Sequence, residues 1–125
     1  MRSVLFVICV LLVASCSKGK RLTKTVEGRW LLTDILDNDG SHTYPNEINE
    51  FAKVESDGES YAVWTQYSSD FSDTITGVYR VSKSGKNMYF RTDSQVVDEE
   101  GFVDDFDKNM LIVRRPDGVY YYEKQ

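Results

Sequence analysis

The chain changes character at about residue 26. Val4 to Val13 form an unbroken apolar run behind Met1-Arg2, and Ser17 to Thr25 is basic, polar and free of periodicity. From Val26 onward apolar residues recur mostly at every second position, the spacing of side chains on one face of a β-strand. Val26 to Leu36 reads as a first strand, with Gly28, Trp30 and Leu32 on one face and Leu31, Thr33 and Ile35 on the other, so both faces carry apolar groups. Asp37-Asn38-Asp39-Gly40 ends it with residues that accept left-handed backbone, the chemistry of a turn.

Further along, Pro45 to Glu55 fits two patterns. Ile48, Phe51, Ala52 and Glu55 keep helical spacing, whereas Phe51 to Val54 could open a strand, which predicts a loop or short helical turn to about Asn49 and a strand after it. Ser56-Asp57-Gly58 is a hairpin signal leading into a strand over Glu59 to Tyr67, and Ser68 to Ser72 is a loop. Asp73 to Ser82 is the next strand, with Gly77 inside it predicting a bend or bulge. A turn at Lys83 to Lys86 leads to Asn87 to Thr92. The acidic stretch Asp93 to Asp107 reads as a solvated loop, with at most a short strand at Val96-Val97 or Phe102-Val103. Lys108 to Arg114 and Val119 to Glu123 are strands joined by the tight turn Pro116-Asp117-Gly118. Consecutive strands on short turns predict an all-β antiparallel up-and-down meander, and closing about eight strands into a barrel removes the exposed edges.

The first residues have a separate meaning. One positive charge followed by a short apolar run is the layout of an export signal, and the run is shorter than the roughly 20 residues needed to span a bilayer. Leu12-Val13-Ala14-Ser15-Cys16 resembles the lipobox of bacterial lipoproteins. That resemblance implies that residues 1–15 are removed as a signal peptide and that Cys16 receives a diacylglyceryl group, residues 16–25 being the lipidated cysteine and its tether. The acyl chains would hold the protein on a membrane, since each buried methylene contributes about 0.8 kcal/mol. In such lipoproteins an acidic run after the cysteine can mark surface export; Ser17-Lys18-Gly19-Lys20 stands here, which points to the outer membrane facing the periplasm.

Removal of residues 1–15 leaves 125 − 15 = 110 residues, enough for one domain over 26–125. The formal charge of −5 becomes −6 on loss of Arg2, which argues against nucleic acid as a partner. Cys9 leaves with the signal and Cys16 is the lipid site, so no thiol remains for a disulfide, a metal or a nucleophile. Eight tyrosines, six phenylalanines and two tryptophans must therefore build the core.

Catalytic and metal chemistry is thinly represented. Asp37 to Gly40 lacks the later glutamate of a calcium loop, and Asp105, Asp107 and Asn109 lack both its glycine and its glutamate. Gly85-Lys86 is not a phosphate loop, because Arg80 stands where the first glycine must be. His42 is the single histidine, in a polar stretch beside Thr43 and Tyr44. These features predict no metal, no cofactor and no enzyme.

Gly28-Arg29-Trp30 at the start of a meander resembles the Gly-x-Trp motif of lipocalins, and the order of later strands, from Thr76-Gly77-Val78-Tyr79 to the tyrosine-rich end, is similar to the lipocalin-like domains of bacterial lipoproteins. The likeness covers about Val26 to Glu123. It implies that Gly28 and Trp30 mark the closed end of a barrel and that Arg114 or Arg115 lies over the indole. It also implies a small apolar or amphipathic ligand, with Tyr61, Trp64, Tyr79, Met88, Phe90 and Tyr121 as candidate lining. The chain departs from longer lipocalins in its length and in having Ser94 after Thr92-Asp93. The alternative is a barrel filled by its own side chains that presents an outer face, such as Asp98 to Asp107, to an envelope protein.

Overall fold

Period-two alternation builds nine strands in the computed structural model, which describes residues 18–54, 60–68 and 73–125. Residues 1–17, with the expected signal peptide and Cys16, the Ser56-Asp57-Gly58 hairpin signal and residues 69–72 lie outside the described residues. The strands are β1 (Gly28–Asp37), β2 (His42–Thr43), β3 (Glu47–Phe51), β4 (Ala62–Ser68), β5 (Thr74–Val81), β6 (Asn87–Thr92), β7 (Glu99–Phe106), β8 (Met110–Arg115) and β9 (Gly118–Lys124). All pairings are antiparallel, and from β3 to β9 each strand pairs with the next. β1 pairs with both β3 and β9 and so closes an eight-stranded barrel, while the two-residue β2 extends the far end of β1. This closed meander is the expected all-β architecture and is compatible with a lipocalin-like fold.

Two bulges reconcile the sequence pattern with a single inward face. Leu32 pairs with Tyr122 and Asp34 with Tyr121, leaving Thr33 as the extra residue. Its hydroxyl donates to the Tyr121 carbonyl at 3.1 Å. Alternation therefore changes phase: Trp30 and Leu32 point inward before the bulge and Ile35 after it. In β7 the extra residue is Asp104, between Val103 and Asp105, which brings Val103 and Phe106 to the same core.

Four expectations change. Residues 18–25, read as a tether without periodicity, and Val26, read as the start of the first strand, form a helix, α1, that closes one end of the barrel. Its own composition favours helix weakly, but Leu22 and Val26 lie one turn apart and both are fully buried among the core residues, so packing decides the conformation. A Cβ on Gly19 would stand 2.1 Å from the Lys83 carbonyl oxygen, so glycine is what allows α1 to sit on the β5–β6 turn. Residues 47–49 are strand rather than loop or helical turn, because Glu47 and Asn49 share the inward face of Phe51 and the polar inward residues disguise the alternation. The acidic stretch contains a full eight-residue strand, β7, whose exposed Glu100, Asp104 and Asp105 alternate with Gly101 and Val103. Finally, the register of β5 on β4 runs through Gly77 without a shift, so of the expected bend or bulge there is no bulge; a Cβ would lie 2.2 Å from the Arg91 carbonyl oxygen, and the glycine admits the neighbouring backbone.

Because α1 is packed rather than tethered, Leu22→Ala is expected to lower unfolding stability by about 2–5 kcal/mol, the range for truncating a buried leucine. Val96→Ala, at a residue 90% exposed, should change it by less than about 0.5 kcal/mol. Urea denaturation of both variants checks the contrast.

Candidate functional site

The strand connections sort the barrel into two ends. At the closed end Trp30 is fully buried and its indole N–H donates to the Val26 carbonyl at 3.0 Å, tying β1 to α1. The cation over its ring is Lys124, 4.7 Å from the centroid, whose ammonium also donates to the Glu27 carbonyl at 2.5 Å. Gly28, at φ +121°, leaves space for that side chain, since a Cβ would lie 2.6 Å from Lys124 Nζ. Gly28 and Trp30 are thus at the closed end, but neither expected arginine is over the indole. Arg114 points outward, 3.2 Å from Asp104, because it is out of phase with Leu111 and Val113. Arg115 is in phase with them but at the opposite end of β8, and Lys124 is the residue in register with Trp30.

Above this plug lies a layer of aromatic rings. Phe51, Trp64, Tyr79 and Phe90 are each at most 3% exposed, with ring centroids 4.9–6.5 Å apart, and Met88 is buried beside them. The Tyr79 phenol donates to the Ala52 carbonyl at 2.5 Å, and burial pushes its pKa upward. Of the six candidate lining residues, Trp64, Tyr79, Met88 and Phe90 are therefore inside the barrel, where they fill its lower half. Tyr61 and Tyr121 are not. Tyr61 lies on the outer wall, donating to Asp98 at 2.5 Å with the Arg91 guanidinium 5.0 Å from its ring. Tyr121 faces outward between the inward Tyr120 and Tyr122, as strand parity requires.

The upper half holds side chains that the lining list missed. Glu47 and Asn49 on β3, Gln66 on β4, Glu99 on β7, Arg115 on β8, and Tyr120 and Tyr122 on β9 all occupy inward positions. Arg115 Nη2 donates to Glu99 at 2.6 Å, and the guanidinium lies 4.9 Å from the Phe90 centroid and 4.6 Å from that of Tyr120. Its side chain is 12% exposed. Burial opposes the Arg115 charge, yet Tyr122, Glu99 and Tyr120 outweigh it and raise its pKa above the ordinary arginine value. Gln66 donates to Glu47, and burial raises the Glu47 pKa against a smaller lowering by Arg115. Burial pushes the Tyr122 phenol up to about 12. Deeper still, Asn49 is 1% exposed; its Oδ1 accepts from Trp64 Nε1 at 2.9 Å, and its Nδ2 has no hydrogen-bond partner among the described residues.

The connections at this end, and the start of β5, carry exposed apolar side chains: Tyr44 at 67%, Val96 at 90% and Val97 at 71% in the connections and Ile75 at 49% on β5. His42 is also here, its Nδ1 3.0 Å from both oxygens of Asp34 and its ring stacked on Tyr44. At the closed end, Asp107 accepts from the backbone N–H groups of Asn109 and Met110, so it organises the β7–β8 turn. On the outer wall, a groove of about 370 Å³ runs beside Arg29, Glu50, Phe51 and Val63, outside the lumen.

The signal that could have found the upper layer was phase: Arg115 continues Leu111 and Val113, and Glu47 and Asn49 precede Phe51 at two-residue steps. No protein-family model, curated protein or solved structure matches this chain.

The positions of the two arginines separate in their energetics. Arg115→Gln leaves Glu99 without its partner inside the barrel and is expected to destabilise by about 3 kcal/mol, the scale for breaking a buried pair. Arg114→Gln, at an exposed pair, should change stability by less than about 1 kcal/mol in the same thermal or urea measurement. For Glu47, a raised pKa means that the folded chain holds this proton more tightly than the unfolded chain. Its ionisation therefore removes stability as pH rises from the ordinary value of 4.5 through the raised one. Glu47→Gln should be stabilising at pH 7, and its advantage should vanish below pH 4.5; urea unfolding across that range checks the sign.

Proposed function

We propose that this chain is an exported lipoprotein, held on the outer membrane facing the periplasm by a diacylglyceryl group on Cys16, whose barrel binds a small amphipathic molecule through its open end. The observation that carries the binding half of this reading is the Arg115 layer. Burying a guanidinium beside two half-buried carboxylates carries a desolvation cost, and a barrel serving only as a filled scaffold is served as well by apolar side chains of similar volume. Charged groups held on the inward face of a barrel are candidates for a binding site. The filled lower half limits the ligand to a small one, and the apolar Tyr44, Ile75, Val96 and Val97 offer contact for its non-polar part.

The reading is of a binder rather than an enzyme, since the His42–Asp34 pair is on an exposed strand end apart from the Arg115 layer. A second reading has one observation in its favour: Val96 and Val97 are adjacent and strongly exposed, as in a contact surface for an envelope protein.

Native mass spectrometry of protein purified from its own membrane tests both halves. The expected spectrum shows a mature chain beginning at lipidated Cys16 and an additional non-covalent mass of a few hundred daltons. Cys16→Ser should lose the lipid mass and leave the membrane fraction. A mature N-terminus elsewhere sinks the anchor, and a lumen empty in protein from every preparation sinks the ligand in favour of the contact surface.

A further inference from the structure

We infer that the open end selects neutral amphiphiles whose head carries a hydrogen-bond-accepting oxygen, such as an ester or amide carbonyl, over the corresponding carboxylates. This rests on the ligand-binding reading above and adds the chemistry of the head group.

Two independent observations carry it. The first is the Asn49 Nδ2 group, which has no acceptor among the described residues. Indole N–H is only a donor, so the Trp64 bond fixes the carboxamide with Oδ1 toward Trp64 and Nδ2 away from it. Nδ2 is therefore a buried donor, on the inward face of β3, without an acceptor among the described residues. Groups of this kind in a native fold call for a partner, and the chemistry that satisfies an N–H is an acceptor oxygen.

The second is the charge of the layer above. Arg115 contributes one positive charge against Glu47 and Glu99, and its Nη2 is already engaged by Glu99 at 2.6 Å. The phenols of Tyr120 and Tyr122 add no positive charge, and Tyr120 donates to Asp117, a further carboxylate at that end. A free carboxylate entering the lumen would meet a layer with net negative charge and would compete with Glu99 for its arginine. Like-charge repulsion grows as water leaves. A carbonyl or ester oxygen accepts from Asn49 without that penalty, and its chain is left among the apolar groups of the open end.

The experiment titrates purified protein at pH 7 with dodecanoate and with glyceryl monododecanoate below their critical micelle concentrations. Tryptophan emission reports binding, because Trp64 is hydrogen-bonded to Asn49. The ester is expected to bind about tenfold more tightly or better. Asn49→Leu should remove most of that advantage, and Glu47→Gln, which makes the layer neutral, should narrow it by strengthening dodecanoate binding several-fold. If Asn49→Leu fails to fold, Glu47→Gln alone makes the test. Equal or tighter binding of dodecanoate overturns the head-group inference while leaving the ligand reading intact. No binding of either probe, with an ordered water on Asn49 Nδ2 in a crystal structure, overturns the inference as well, and the co-purifying mass then decides the broader reading separately.

Discussion

β1 is hydrogen-bonded along both of its edges, to β3 on one side and β9 on the other, and the rest of the structure depends on that double pairing. An eight-stranded sheet left open would present two rows of unsatisfied backbone groups and an apolar face to water. Closing it gives every inward side chain a common interior. It also brings residues from the two ends of the chain together, so that Lys124 can lie on Trp30 and donate to the carbonyl oxygen of Glu27. The bulge at Thr33 belongs to the same constraint, because it lets β1 follow β9 while presenting Trp30 and Ile35 to one interior.

Within that interior one rule of alternation produces two kinds of environment. Near α1 the inward positions are Trp30, Val81, Met88 and Leu111, all fully buried, and the packing there is that of an ordinary core. Toward the other end β3, β4, β7 and β8 turn Glu47, Gln66, Glu99 and Arg115 inward. Their charges are tolerable because they face one another and stand partly in water. The barrel thus keeps its stability at one end and its chemical character at the other.

Much of the fold was legible in the chain itself. The strands over Asp73 to Ser82, Asn87 to Thr92 and Lys108 to Arg114 show clear alternation and Gly-containing turns, and they lie where expected. The elements that were misread share a cause. In residues 18–25 a single apolar side chain, Leu22, looks like part of a polar tether, and Val26 like the start of a strand, until a barrel end is available to bury both. In β3 and β7, inward glutamates and an asparagine, or outward acidic residues beside a bulge, break the apolar rhythm on which strand recognition rests.

The candidate site was less legible, for a geometric reason. Sequence periodicity gives the face of a strand on which a residue lies but not its height along a closed barrel, which depends on register with strands far away in the chain. Arg114, Arg115 and Lys124 were all cations near the end of the sequence, and only pairing across β8, β9 and β1 distinguished an outer ion pair, an interior guanidinium and the cap on Trp30. The chain by itself determined an all-β closed meander with an aromatic interior, because local alternation and turn chemistry are encoded in neighbouring residues. The tertiary structure alone decided which end is sealed, which charges are enclosed and that Asn49 Nδ2 is buried without an acceptor among the described residues, because these follow from contacts between residues that no local pattern connects.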